Sequence, residues 1–147
     1  MDPTTLVSKE QVAGGRKLLE RLSATPLRPI AALWAQKTEQ DSQPYLYIVT
    51  PYVETKGAIE AYRILGSVRR ELDSTTSEPL EKIDPFSVKL IGPSDPLAQG
   101  VLEWNRSHPD EYPTRHCGAG LGSVSIDGAY SYPAKMFAAS PAQPQSA

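Results

Sequence analysis

The chain has 147 residues, 39% of them hydrophobic and 22% charged, enough for one domain with a core of its own and no need of disulfides or metals. A formal net charge of −2 supplies no global positive field for a phosphate backbone, and the single cysteine, Cys117, excludes an internal disulfide and a multi-cysteine metal site. No apolar run approaches the roughly 18 residues of a membrane span, and Met1-Asp2-Pro3-Thr4-Thr5 has neither the basic start nor the apolar stretch of a secretory signal, so a cytoplasmic location is expected.

In chain order, residues 1–7 read as a tail. A helix is expected from Lys9, with Ser8 as its cap, Gln11 three residues on, and Val7 and Val12 stapled across the cap. Val12, Leu18, Leu19 and Leu22 form its apolar stripe; Gly14 and Gly15 interrupt it at about 1 kcal/mol each relative to alanine, which points to close packing or a frayed first turn. Pro26 and Pro29 close the helical segment. Residues 30–36 and 45–50 are apolar runs joined by a polar stretch over 37–43, the pattern of a hairpin with an exposed loop. In Leu46-Tyr47-Ile48-Val49 both alternating faces are apolar, so this strand is expected inside the sheet with cover on both sides.

Ala58, Ala61, Tyr62, Leu65, Val68 and Leu72 recur at spacings of three and four and predict a helix over 55–72. Its other side carries Lys56, Arg63 and Arg70 seven apart, with Glu60 placed to neutralise part of the charge. Such a side is ordinarily a solvated face; its functional alternative is a stripe for an acidic partner or a phosphate backbone. Residues 73–84 are polar and aperiodic, as a mobile loop would be, and Phe86, Val88 and Leu90 restore the strand period. Gly92-Pro93-Ser94 ends that strand; Asp95 and Pro96 suit the cap and first position of a third helix, with Leu97, Val101 and Trp104 inward and His108-Pro109 as its stop.

The last third reads as sheet, with a strand over 114–117, a glycine-rich turn over 118–122 and a returning strand over 124–132. Val124, Ile126, Gly128, Tyr130 and Tyr132 alternate with Ser125, Asp127, Ala129 and Ser131, which predicts one buried and one polar face. Asp127-Gly128 is a common hairpin dipeptide, but a turn there would mix the two sets, so Gly128 is read as a gap or bend within one strand. Residues 134–147 are rich in Ala, Ser, Pro and Gln and are expected to be disordered, with only Met136 and Phe137 able to pack. The order of elements predicts a single α+β domain over 8–133, with a mixed sheet of about five strands and about three helices on it; a purely parallel doubly wound sheet is disfavoured.

No catalytic, metal or nucleotide signature reaches specificity. The glycines of 118–122 are followed by a strand where a dinucleotide loop needs a helix, so no cofactor is expected. Arg115, His116 and Cys117 place a cation, an imidazole and a thiol in a row, but on a strand His116 faces away from both neighbours. Ser125 and Asp127, with His116 or Arg115 across the hairpin, make a hydrolase imaginable, although no nucleophile elbow accompanies them.

If the strands at 45–50 and 86–91 run parallel, Tyr52, Glu54, Thr55, Ser94 and Asp95 meet at one sheet edge around a shallow pocket. Glu54, Asp95 and Asp84 there are more readily caps than cation ligands, and no metal is expected. Seven tyrosines, Tyr130 and Tyr132 among them, exceed what a small core hides and suit an interface. The leading expectation is therefore a non-catalytic protein-interaction or accessory domain, with a protein partner or a second copy of itself. Its rivals are a hydrolase near Arg115, His116 and Asp127, and a nucleic-acid-associated protein using the arginine face; nucleic acid is the less favoured partner, and no membrane contact is expected.

Overall fold

The computed structural model describes residues 9–39, 41, 43–75, 87–107, 114–117, 120–121, 124–132 and 137. In chain order the elements are α1 (Lys9–Leu22), β1 (Ala31–Lys37), β2 (Tyr45–Val49), α2 (Tyr52–Lys56), α3 (Ala58–Thr75), β3 (Val88–Ile91), α4 (Pro96–Ser107), β4 (Thr114–Cys117), β5 (Gly120–Leu121) and β6 (Val124–Ser131). The strands lie in the order β3-β2-β1-β6-β4, and the two-residue β5 joins β6 off that path. β2 and β3 are parallel and the other pairs antiparallel, which is the mixed α+β arrangement expected from the element order. The Ser8 cap, the tail at 1–7 and, apart from Phe137, the tail at 134–147 lie outside the described residues, as do Asp84 and Phe86.

Two apolar cores flank the sheet. On one face α1 and α3 cover Ala32, Trp34, Leu46, Ile48, Val88 and Leu90, and Phe137 packs against the same core. On the other, α4 brings Leu97, Ala98 and Val101 onto Leu33, Tyr47, Val49 and Ile126. β2 contributes alternate residues to both, as its doubly apolar pattern required. Among the described residues no helix is long and apolar enough to cross a membrane.

Gly15 has a packing reason. A Cβ at this position would clash with the Tyr132 hydroxyl and lie 3.2 Å from Trp34 Nε1, so the glycine lets the helix approach the sheet. The Tyr132 hydroxyl accepts from Trp34 Nε1 at 3.1 Å and donates to the Val12 carbonyl at 2.8 Å. One phenol thus ties β1, the end of β6 and α1 together while giving the buried Trp34 N–H its acceptor. Its acidity falls accordingly, because burial disfavours the phenolate.

Four expectations need correction. Residues 73–75 close α3 and do not open the loop expected over 73–84, and Gly120–Leu121, expected within a turn over 118–122, form β5 against β6. The helix over 55–72 is two helices, because Gly57 takes φ 95 and breaks the run; α2 ends at Lys56 and α3 starts at Ala58. The inward stripe of α3 is Ala61, Leu65 and Val68, with Ile64 and Leu72 partly buried, while Tyr62 stays half exposed. The alternation in β6 also conceals a change of face. Gln36 pairs with Gly128 but Lys37 pairs with Ile126, so β6 carries one extra residue, Asp127, in a bulge. Val124 and Ile126 consequently join the α4 core, whereas Tyr130 and Tyr132 join the α1/α3 core. Ala129 and Ser131, assigned by period to a polar face, are each 2% exposed because the sheet is covered on both sides.

Candidate functional site

The parallel pairing of β2 and β3 brings the segments after them to one edge, as the crossover required. Thr50 N donates to Ile91 O at 2.9 Å; its hydroxyl donates to the Leu27 carbonyl and accepts from Tyr52 N at 3.1 Å. Glu54 and Ser94, 40 residues apart, meet there: the carboxylate accepts from Ser94 N at 2.9 Å and from the Ser94 hydroxyl. These bonds, the hydroxyl's foremost, hold the Glu54 carboxyl below its usual range, so at neutral pH it is a charged acceptor and no proton donor. Asp95 Oδ1 accepts from Leu97 N at 2.9 Å and caps α4. The edge is therefore a brace between α2, β3 and α4, with its acidic groups engaged in holding the turns. Among the described residues no group of three or more His, Cys, Asp or Glu side chains could hold a metal ion.

The basic face is split by the break at Gly57. Lys56 belongs to α2, so only Arg63 and Arg70 share α3. Arg63 forms an ion pair with Glu60, which raises the guanidinium pKa and lowers that of the carboxyl. Arg69, which was not singled out, pairs with Asp73 at 2.9 Å. Ile59, one turn before Arg63, is 89% exposed.

The proposed hydrolase residues are placed only by backbone. Arg115 pairs with Tyr130 and His116 with Ala129 across β4 and β6, whereas Ser125 pairs with Gly120 in the separate β5 ladder. The register thus sets His116 opposite neither Ser125 nor Asp127. The side chains of Arg115, His116, Ser125 and Asp127 lie outside the described residues. Tyr132 is buried in the core, Tyr130 stands against it with ring centroids 5.8 Å apart, and Tyr52 packs partly buried on the same core.

A constellation not anticipated from the pattern lies at the hairpin end of the sheet. Asp41, in the loop between β1 and β2, turns back onto the sheet with its side chain only 4% exposed. Its Oδ2 accepts from the Tyr47 hydroxyl at 2.7 Å and from Lys37 N at 2.9 Å, and its backbone N donates to the Lys37 carbonyl at 3.1 Å. Lys89, which pairs in register with Tyr47, brings Nζ to 3.8 Å from Asp41 Oδ1 and 4.1 Å from the Tyr45 ring centroid. Burial and then the Asp41 bond push the Tyr47 phenol far above its ordinary pKa, so it remains a donor to the carboxylate. Two tyrosines at i and i+2 were the legible sign, since they share one face of a strand. The partners Asp41 and Lys89 became neighbours only through loop closure and the parallel register.

Comparison with protein-family models finds no match for the chain, and comparisons with curated proteins and with solved structures find none either.

Proposed function

We propose that the protein is a small cytoplasmic interaction domain without catalysis of its own, and that it meets its partner through the outer side of α3 near the start of that helix. The observation that supports this reading is Ile59, 89% exposed, with Tyr62 41% exposed one turn on. Burying an isoleucine is worth about 1.5–3 kcal/mol, a gain that the isolated chain forgoes. A lone exposed apolar residue is commonplace, but here it adjoins a tyrosine and an arginine, the side chains that most often anchor interfaces. The Tyr62 hydroxyl accepts from Leu90 N at 2.8 Å, which holds the ring in place beside the edge strand and lowers the cost of ordering it on contact. Lys56 and Arg70 form no ion pair among the described residues, so the partner that fits is a protein whose apolar spot is bordered by carboxylates.

The test compares wild type, Ile59→Asp and the pair Arg63→Glu with Arg70→Glu, by quantitative cross-linking in the source cells and by mass in solution. The reading expects a protein held by wild type and lost from both variants, while the fold and melting temperature stay unchanged. If self-association is what Ile59→Asp abolishes, the partner is a second copy. Wild type and Ile59→Asp cross-linking to the same proteins would sink the reading. Binding that survives Ile59→Asp, vanishes with the two arginine changes and falls steeply with salt would transfer it to nucleic acid.

A further inference from the structure

The corner built on Asp41 encloses the Lys89 ammonium between two aromatic rings and a carboxylate. Tyr47 is 1% exposed and tied to Asp41, and Asp41 is tied to Lys37 N and to Tyr47. The Tyr45 and Tyr47 rings stand edge to face, with centroids 6.3 Å apart and planes at 70°. Between these walls lies the Lys89 ammonium, 4.1 Å from the Tyr45 centroid, 5.8 Å from that of Tyr47 and 3.8 Å from Asp41 Oδ1. Two aromatic rings and a carboxylate around a cation are the components of an ammonium-binding cage. The Lys89 side chain is 44% exposed and sits on the edge strand at the end of a flexible stem, so it can swing into water without breaking the sheet.

A primary ammonium is a strongly hydrated point charge and gives up much solvation when it enters such a cage. An alkylated ammonium surrenders less, and it presents methyl groups to the ring faces. We infer that Asp41, Tyr45 and Tyr47 form a binding site for an alkylated ammonium group, and that the chain's own Lys89 occupies and closes the site until the ligand displaces it. The carboxylate keeps Oδ1 for the incoming charge, because Oδ2 is engaged by Tyr47 and Lys37 N. Lys37 Nζ stands 5.1 Å from the Tyr47 ring centroid on the neighbouring strand, and its repulsion limits the site to one positive charge. This site is separate from the α3 surface and does not depend on it.

The experiment titrates the full chain with three probes: a peptide bearing trimethyllysine, the same peptide unmethylated, and choline. Binding is read from the ring resonances of Tyr45 and Tyr47 by NMR. Wild type should bind the methylated peptide weakly, and Lys89→Ala should bind it about ten-fold more tightly by removing the internal competitor. The unmethylated peptide should remain about ten-fold weaker, and Tyr45→Ala in the Lys89→Ala background should abolish binding. Tighter binding of the peptide than of choline would assign the ligand to a modified protein; the reverse would assign it to a free or lipid-borne headgroup. Equal affinity for methylated and unmethylated peptide, no gain from Lys89→Ala, or retention in the Tyr45→Ala double variant would each overturn the inference. Should Lys89→Ala fail to fold, Lys89→Gln takes its place, and the absence of any Tyr45 or Tyr47 shift in both Lys89→Gln and wild type would be equally fatal.

Discussion

The two faces of the sheet each contain a polar node, and the nodes differ in charge. Beneath α1 and α3, Trp34, Tyr132 and the Val12 carbonyl form a neutral node sealed by the helices. At the hairpin corner of the other face, Asp41, Tyr47 and Lys89 form a charged one, in which Lys89 still reaches solvent. A buried ion costs several kcal/mol to desolvate, whereas a neutral phenol between a donor and an acceptor costs little once both bonds are made. Where cover is complete the fold uses the neutral arrangement, and where one partner reaches water it tolerates the ions. The sealed node should therefore govern stability and the open one should be available for binding.

The largest expected effect comes from emptying the sealed face. Trp34→Ala should cost about 3–5 kcal/mol, measured by denaturant unfolding; a loss under half of that would mean that the α1/α3 core collapses to fill the space.

Next is the contact that Gly15 permits. Gly15→Ala should cost about 1–3 kcal/mol through the clash with the Tyr132 hydroxyl. Tyr132→Phe should cost about 1–3 kcal/mol by stranding the buried Trp34 Nε1. The double variant should lose less than the sum of the two, since removing the hydroxyl also removes the clash. Full additivity would show that the helix does not rest on that oxygen.

Alkali compares the nodes directly. Tyr47 and Tyr132 both have folded-state pKa values raised above the ordinary phenol range, so their contribution is complete below the unfolded value of about 10 and is lost as pH climbs beyond it. Stability should thus fall with rising pH above about 10, and absorbance should show both phenols ionising only as the chain unfolds. Tyr132→Phe and Tyr47→Phe should each flatten that fall. A normal titration of either phenol in the folded protein would contradict the placement of its hydroxyl.

The smallest effect is expected at the solvent-facing brace. Glu54 has a folded pKa below its ordinary value, so its contribution is present above the usual carboxylate range and fades as pH drops through the folded value. Glu54→Gln should be slightly less stable than wild type at neutral pH, and the two curves should converge in acid. A gap that persists into acid would place the effect elsewhere than in the charge.

Much of the architecture was legible because local patterns were unambiguous. Asp95 as the cap of α4 and a strand that runs on through Asp127-Gly128 both follow from short-range chemistry. The break at Gly57 was obscured by a helical period that continues across it. The face change at Asp127 was hidden for a related reason: when both sides of a sheet are covered, an apolar alternation does not reveal which side is which. The candidate sites fared unevenly. Glu54 and Ser94 were foreseen as neighbours because the crossover fixes where two parallel strands end. The period of the last strand places Tyr132 on its apolar face and the tyrosine count suggests an interface; the structure buries it against a helix more than a hundred residues earlier in the chain.

By itself the amino-acid sequence determined the elements and the class of fold, because propensity, period and capping act within a few residues of one another. Tertiary structure alone decided that Asp41, Tyr47 and Lys89 share a corner and that Ile59 remains in water. Those outcomes rest on strand register and on which helix covers which face, and both are set by contacts between segments far apart in the chain.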